Sequence, residues 1–357
     1  MNYSTIAYNV WRRYKNLDFS MCYTVILTSF AALRLADVTG DKTLRDEVID
    51  ERLIPMLNGE VAKVIGYYGE YVYRWGGNAS AWALLNGYLP ESEKAADKLC
   101  AACEGLMRYQ PRYEDGTFCQ RTRHDRTKWG LRWIDTVFGV CPFLLWTGLK
   151  CGRKDFIDEA VAQMRYHHDL LFDPERKLYH QAIDGNQPEL TPGYWSRGMG
   201  WGLHALADLA ANLPQDHAGR DYILQAYRDA IDGCLATQDA NGMWHQSMDD
   251  FGTYPESSGT ALILYALGKG IRIGVFTDEK YLSAFRRGIK GLLRYVCVDG
   301  SVQNCCSGCL GPGYNGTAAD YQMRSWILND THAFGGTLLA LTEAIELQKK
   351  GILRDGE

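Results

Sequence analysis

The chain has 357 residues, 46% hydrophobic and 23% charged, the balance of a globular protein with a large buried core. Its net charge of −5 leaves no electrostatic footprint for nucleic acid, and no apolar run approaches the length that spans a bilayer. The N-terminal stretch "MNYSTIAYNVWRRYKNLDFS" lacks the apolar core and cleavage site of a secretory signal, and eleven cysteines suit a reducing compartment, so a cytoplasmic protein with no membrane partner is expected.

Helical periodicity dominates from the start. "YTVILTSFAALRLADVTGD" predicts a helix closing on Gly40, and "KTLRDEVIDERLIPML" predicts the next. "NASAWALLNGYL" and "ESEKAADKLCAACEGLMRY" form a pair, as do "IDTVFGVCPFLLWTGLKCG" and "KDFIDEAVAQMRYHHDLL". "GMGWGLHALADLAANL" is followed by "HAGRDYILQAYRDAIDGCLATQ", and "SSGTALILYALGKGIRIG" by "DEKYLSAFRRGIKGLLRYV". "DTHAFGGTLLALTEAIELQKK" closes the series and is free to pair with a helix near the N-terminus. In each pair the first helix is apolar nearly all round and belongs inside, while the second is amphipathic and faces solvent. The unit repeats every fifty to sixty residues, roughly. Inner and outer helices alternating in this way predict an all-α fold, an (α/α)6 barrel in one domain over residues 1–357, with an open solenoid as the competitor.

Long connections at residues 110–131, 172–194, 240–255 and 297–329 each lead into an inner helix, so they gather at one end of the barrel, where a site is built. The chain's 22 Tyr, 10 Trp and 11 Phe suit either core packing or a cleft lined with rings for a sugar. Asp135 starts an inner helix between Trp133 and Phe138. It is either a helix cap or a general acid/base, because a carboxyl among aromatics loses hydration and stays protonated near neutrality. In "YWSRGMGWG", Arg197 and Trp201 are four residues apart and share a helical face, for a carboxylate and a sugar ring or simply for packing. "NGMWHQSMDD" adds Trp244 and His245, with Asp249 and Asp250 as turn residues, and Glu256 reads as the cap of the helix that follows. His124 and His180 lie in loops, and Asp330 in "LNDTHAFGG" reads as a cap. The basic stretch "QRTRHDRTKWGLRW" is either solvated surface or an attractor for an anionic substrate. Cys100 and Cys103 read as packing. Cys305, Cys306 and Cys309 have neither a second cysteine pair nor a well-spaced histidine nearby, so no metal and no cofactor are expected.

The stretches "RWIDTVFGVCPFL", "YWSRGMGWGLHALADL", "YPESSGTALILYALGKGIRIG" and "LNDTHAFGGTLLALTEA" resemble, in order, the unsaturated rhamnogalacturonyl hydrolases of glycoside hydrolase family 105, with the family 88 unsaturated glucuronyl hydrolases as relatives. The resemblance covers residues 121–346 and agrees with the barrel. It implies removal of a 4,5-unsaturated uronic acid from lyase-generated oligosaccharides by hydration of the C4=C5 vinyl ether, needing one acid/base carboxyl and no metal. It assigns that carboxyl to Asp135, and sugar contacts to His124, His180, Arg197 and Trp201, with Arg197 toward the uronate carboxylate. Trp133, Trp244 and His245 join them as candidate sugar contacts. Where the family carries a second site aspartate this chain has Gly76, Gly77 and Asn78; Asn78 is the candidate replacement, with Asp125 and Glu70 as alternatives. The rivals are another α/α-barrel enzyme, an inverting hydrolase or an epimerase, and a non-catalytic sugar-binding relative. The partner expected is the oligosaccharide, for a monomer or a homo-oligomer.

Overall fold

A computed structural model describes residues 2–19, 22–59, 72–118, 132–183, 189–309 and 317–354. In chain order the helices are α1 (Tyr3–Lys15), α2 (Tyr23–Thr39), α3 (Lys42–Val48), which runs through a π turn (Ile49–Leu53) into α4 (Ile54–Leu57), α5 (Val72–Leu85), α6 (Ser92–Tyr109), α7 (Asp135–Cys151), α8 (Lys154–Leu171), α9 (Ser196–Asn212), α10 (Arg220–Thr237), α11 (Ser257–Arg272), α12 (Glu279–Leu293), the short α13 (Ala318–Gln322) and α14 (Thr331–Lys349). Three two-stranded antiparallel ribbons decorate them: β1 (Arg132–Trp133) with β4 (Ala182–Ile183), β2 (Phe172–Asp173) with β3 (Leu178–Tyr179), and β5 (Cys305–Cys306) with β6 (Trp326–Ile327).

Among the described residues, α2, α5, α7, α9, α11 and α14 pack each on the next, and α14 returns to α2, which closes a ring. Each inner helix carries an outer one: α3 on α2, α6 on α5, α8 on α7, α10 on α9, α12 on α11, and α1 on α14. This is the six-hairpin barrel that the alternation of apolar and amphipathic helices predicts, and the last helix does pair with the first. The expected helix ends are also present: α2 stops at Gly40 (φ 73°) and α7 at Gly152 (φ 67°), left-handed conformations that cost glycine nothing.

The short turns lie at one end of the ring and the long connections at the other. The short-turn end is plugged by buried charge. Lys269 of α11 meets Asp208 of α9, whose Oδ1 also accepts from Tyr265 (2.7 Å), while Arg272 forks onto Glu343 of α14 at 2.6 and 3.0 Å. No helix among the described residues is long and apolar enough to cross a membrane.

Candidate active site

Asp135 is the first residue of α7, and the cap position is Ile134, which makes no side-chain capping bond. Asp135 therefore acts on the helix start from the first turn and not from the cap position: a backbone N–H there bonds its carboxyl, and this duty stands beside the acid/base one. Its half-buried carboxyl is held from another element: Gln181 Nε2 donates to Asp135 Oδ2. The β1–β4 ribbon makes this possible, with Trp133 opposite Ala182 and Ile134 N donating to Gln181 O at 3.0 Å. Burial pushes the carboxyl up, to about 7, against the opposing pull of the Gln181 bond and the Arg197 charge.

Arg197 lies in the first turn of α9 and is 1% exposed. Its bonds to described residues all run through Nη1: to Ser258 Oγ at 3.0 Å, Cys306 O at 2.8 Å and, weakly, Cys305 Sγ at 3.7 Å. The guanidinium lies over the Trp195 ring at 4.3 Å. The helical spacing suggested Trp201 as the stacking partner. Trp195 takes that place because it precedes the helix in extended backbone (φ −71°, ψ 123°) and folds back over the first turn. Trp201 is 1% exposed and packs on Phe138 of α7 (4.5 Å) and edge-on to Tyr23 of α2 (6.2 Å).

The glycines of this segment permit the crowding. A Cβ on Gly198 would collide with Gln181 Oε1, and a Cβ on Gly259 would lie 2.6 Å from Arg197 N. The start of α11 thus sits directly against the start of α9. Glu256 caps α11, accepting from Ser258 N (3.0 Å) and Gly259 N (2.5 Å), as its position before two serines predicts. It also accepts from Ser196 Oγ (3.2 Å) and Cys306 N (2.9 Å), tying three segments together. Asp330 likewise caps α14 through His332 N; the His332 ring joins Asp330 Oδ1 (2.5 Å) to Tyr23 OH (2.6 Å).

The structure brings Trp133, Asp135, His180, Gln181 and Arg197 to one end of the ring. His180 Nδ1 donates to Thr191 O (2.9 Å), which fixes the tautomer and leaves Nε2 as an acceptor. Cys309 packs with Trp195, Cys306 and Tyr254; burial pushes its thiol up to about 12, with the Asp135 charge adding to the shift. No group of three metal-ligating side chains occurs among the described residues.

Two expected sugar contacts sit elsewhere. Trp244 is fully buried and its indole N–H donates to Cys234 O of α10 (2.7 Å), leaving no face for a ligand. His245 turns the opposite way along the extended segment, its ring nitrogens on Thr253 O (2.5 Å) and Asp239 Oδ2 (3.1 Å). His124, Asp125 and Glu70 lie outside the described residues, as does most of the basic loop; of that loop Arg132 pairs with Asp115 at 2.5 Å.

Asn78 has a duty that sequence reading did not supply. Pro142 sits inside α7 and has no N–H for the carbonyl four residues back, Phe138 O. Asn78 Nδ2 of α5 donates to that oxygen at 2.8 Å. Asn78 is 1% exposed, so this bond repairs a buried carbonyl that the proline orphans. Gln181 was also missed; the one available signal was its place beside the loop histidine His180 in "LYHQAI".

A family model described as Glycosyl Hydrolase Family 88 matches residues 5–348. The chain is 29% identical over 177 residues to the unsaturated rhamnogalacturonyl hydrolase YesR of Bacillus subtilis (strain 168), covering 49% of each protein. It is 27% identical over 231 residues to an unsaturated 3S-rhamnoglycuronyl hydrolase of Formosa agariphila, covering 61% of this chain and 58% of that one. The matches thus span about half the length of these relatives. Among solved structures, a family 105 glycoside hydrolase of C. acetobutylicum ATCC 824 shares 24% identity at a TM-score of 0.80, over 96% of this chain and 99% of that one, and so shares the fold.

Proposed function

The chain belongs to glycosyl hydrolase family 88, and on that premise we propose that it removes a 4,5-unsaturated uronic acid from the non-reducing end of lyase-generated oligosaccharides, of pectin or rhamnogalacturonan origin. The observation that carries this reading is one half-buried carboxyl, Asp135, whose pKa burial raises to about 7 against the pull of a fixed cation, Arg197. That is the equipment for protonating an electron-rich double bond in an anionic sugar.

Asp135 gives its proton to C4 of the vinyl ether. The C4=C5 π pair forms the new C–H bond, and positive charge develops at C5, shared with the ring oxygen. Water adds at C5 and loses a proton to the Asp135 carboxylate, which restores the acid. The resulting hemiketal opens, its C1–O bond then breaks, and the saccharide leaves with its oxygen protonated. Gln181 holds Oδ2 so that the proton sits on Oδ1, toward the substrate. Arg197 faces the uronate carboxylate, and its stack on Trp195 keeps the guanidinium plane fixed. Trp133 and His180 line the sugar's approach, and Trp201 backs the floor through Phe138. The enzyme acts as one catalytic unit in the cytoplasm, a reading that the free cysteines among the described residues support.

The test is ultraviolet absorbance of the conjugated C4=C5 bond on a panel of lyase-generated disaccharides. The wild type bleaches at least one of them, and Asp135→Asn bleaches the same compound about 10²–10⁴-fold more slowly. Absence of bleaching across the panel, or an unimpaired Asp135→Asn, overturns the proposal.

A further inference from the structure

The connection into α14 carries a run of large apolar side chains in water: Met323 is 82% exposed, Trp326 48%, Ile327 42% and Leu328 50%. Trp326 is the unusual member, because a tryptophan is ordinarily buried on at least one broad face. Its position is fixed by the β5–β6 ribbon, in which Cys306 pairs directly with Trp326. Residues directly opposite in an antiparallel pair project to the same face. The Cys306 side chain packs on Trp195, with Tyr254 and Cys309 beside it, and the Cys306 carbonyl holds Arg197 at 2.8 Å. Trp326 therefore stands one strand spacing, about 4.8 Å, outward from the segment that grips the site arginine. The segment is anchored there by Tyr254 OH on Ser325 O (3.4 Å) and by Gln322 Nε2 on Asp250 Oδ2 (2.9 Å).

We propose that the exposed face of Trp326 is the platform for the leaving saccharide, the sugar bonded to C1 of the unsaturated uronic acid. The inference rests on the hydrolase reading above. With the charged ring at Arg197, the next sugar lies outward along the same rim, and an exposed indole face suits the C–H face of a pyranose whose hydroxyls point to the side. A second copy of this chain is the weaker occupant: four adjoining apolar side chains fall well short of the roughly 20–30 residues a side of a stable interface. Trp326 thus sets preference for the leaving group, and Asp135 performs the chemistry.

Two substrates separate the roles: a lyase-made unsaturated disaccharide, and the unsaturated uronic acid as its methyl glycoside, which offers no second ring. In Trp326→Ala the ratio of kcat/KM for the disaccharide over the methyl glycoside falls roughly three- to tenfold, and Trp326→Phe recovers part of it. An unchanged ratio, or an equal loss on both substrates, overturns the platform. If the wild type bleaches neither compound, the hydrolase reading fails, and the platform is decided by binding alone. Fluorescence titration of Asp135→Asn with the disaccharide then gives tighter binding than Asp135→Asn/Trp326→Ala; equal affinities overturn it. A dimer of the wild type that Trp326→Ala dissociates, with the substrate ratio unchanged, assigns the face to a second copy and overturns the proposal too.

Discussion

Gln181 lies between Asp135 and Gly198: its Nε2 donates to the Asp135 carboxyl, and its Oε1 occupies the space where a side chain on residue 198 would start. One amide thus ties the candidate acid at the start of α7 to the first turn of α9.

The pH profile follows from that bond. Asp135 must carry its proton to act, and burial sets its pKa at about 7, so kcat/KM falls as pH rises through about 7. The Gln181 bond favours the ionised form and pulls that value down. Gln181→Leu removes the pull, and the alkaline limb moves to higher pH even as the maximal rate drops. A limb that stays in place or moves down shows that the bond does not set the acid's protonation.

Gly198→Ala places a methyl group against Gln181 Oε1 and forces the amide away from Asp135. Displacement of that order costs about 10²-fold in rate. The alkaline limb shifts in the same direction as in Gln181→Leu, and comparison of the two pH profiles checks the shared cause.

Asn78→Asp, the change that would supply a second site aspartate at this position, is expected to destabilise the protein without raising activity. An ionised carboxylate cannot donate to Phe138 O, and two buried acceptors then face each other. The loss is about 1–3 kcal/mol or more, read by denaturant unfolding. Because the new carboxylate is destabilising when ionised, the deficit shrinks as pH falls and the group protonates. A stable and faster Asn78→Asp protein would refute this account of the residue.

Lys269→Met strips the cation from Asp208 at the short-turn end. Burial alone pushes the Asp208 carboxyl up, but Lys269 and His204 outweigh it and hold it below the usual carboxylate range. A depressed pKa stabilises the fold above the unfolded value and loses that contribution as pH falls through the folded one. The variant leaves the buried anion to Tyr265 and His204 without its lysine, a loss of up to about 3–5 kcal/mol near neutral pH that narrows in acid. Thermal unfolding at two pH values checks it, and Asp208→Asn/Lys269→Met should recover part of the loss. KM for the disaccharide stays at the wild-type value, because this network lies at the opposite end of the ring from Asp135.

The ring was legible in the chain because its causes are local. Apolar helices alternate with amphipathic ones, Gly40 and Gly152 end helices where only a left-handed residue fits, and Glu256 and Asp330 precede the helices they cap. Each of these signals spans a few residues, so composition and spacing carry it. The placement of Asp135 at the start of an inner helix, on the long-loop side, was legible for the same reason. What the sequence could not decide is where side chains point once loops cross. Gln181 meets Asp135 across 46 positions only because β1 pairs with β4 in one register. Arg197 lies on Trp195 and not on Trp201 because the chain enters α9 extended. Trp244 and His245 turn to α10 and to Asp239 because alternation along an extended segment sends neighbours to opposite sides. Asn78 repairs a carbonyl that a proline on another helix orphans. Local pattern determined the barrel and the place of its candidate acid; only the tertiary structure decided that residue's partners, because they depend on which segments the closed ring brings together.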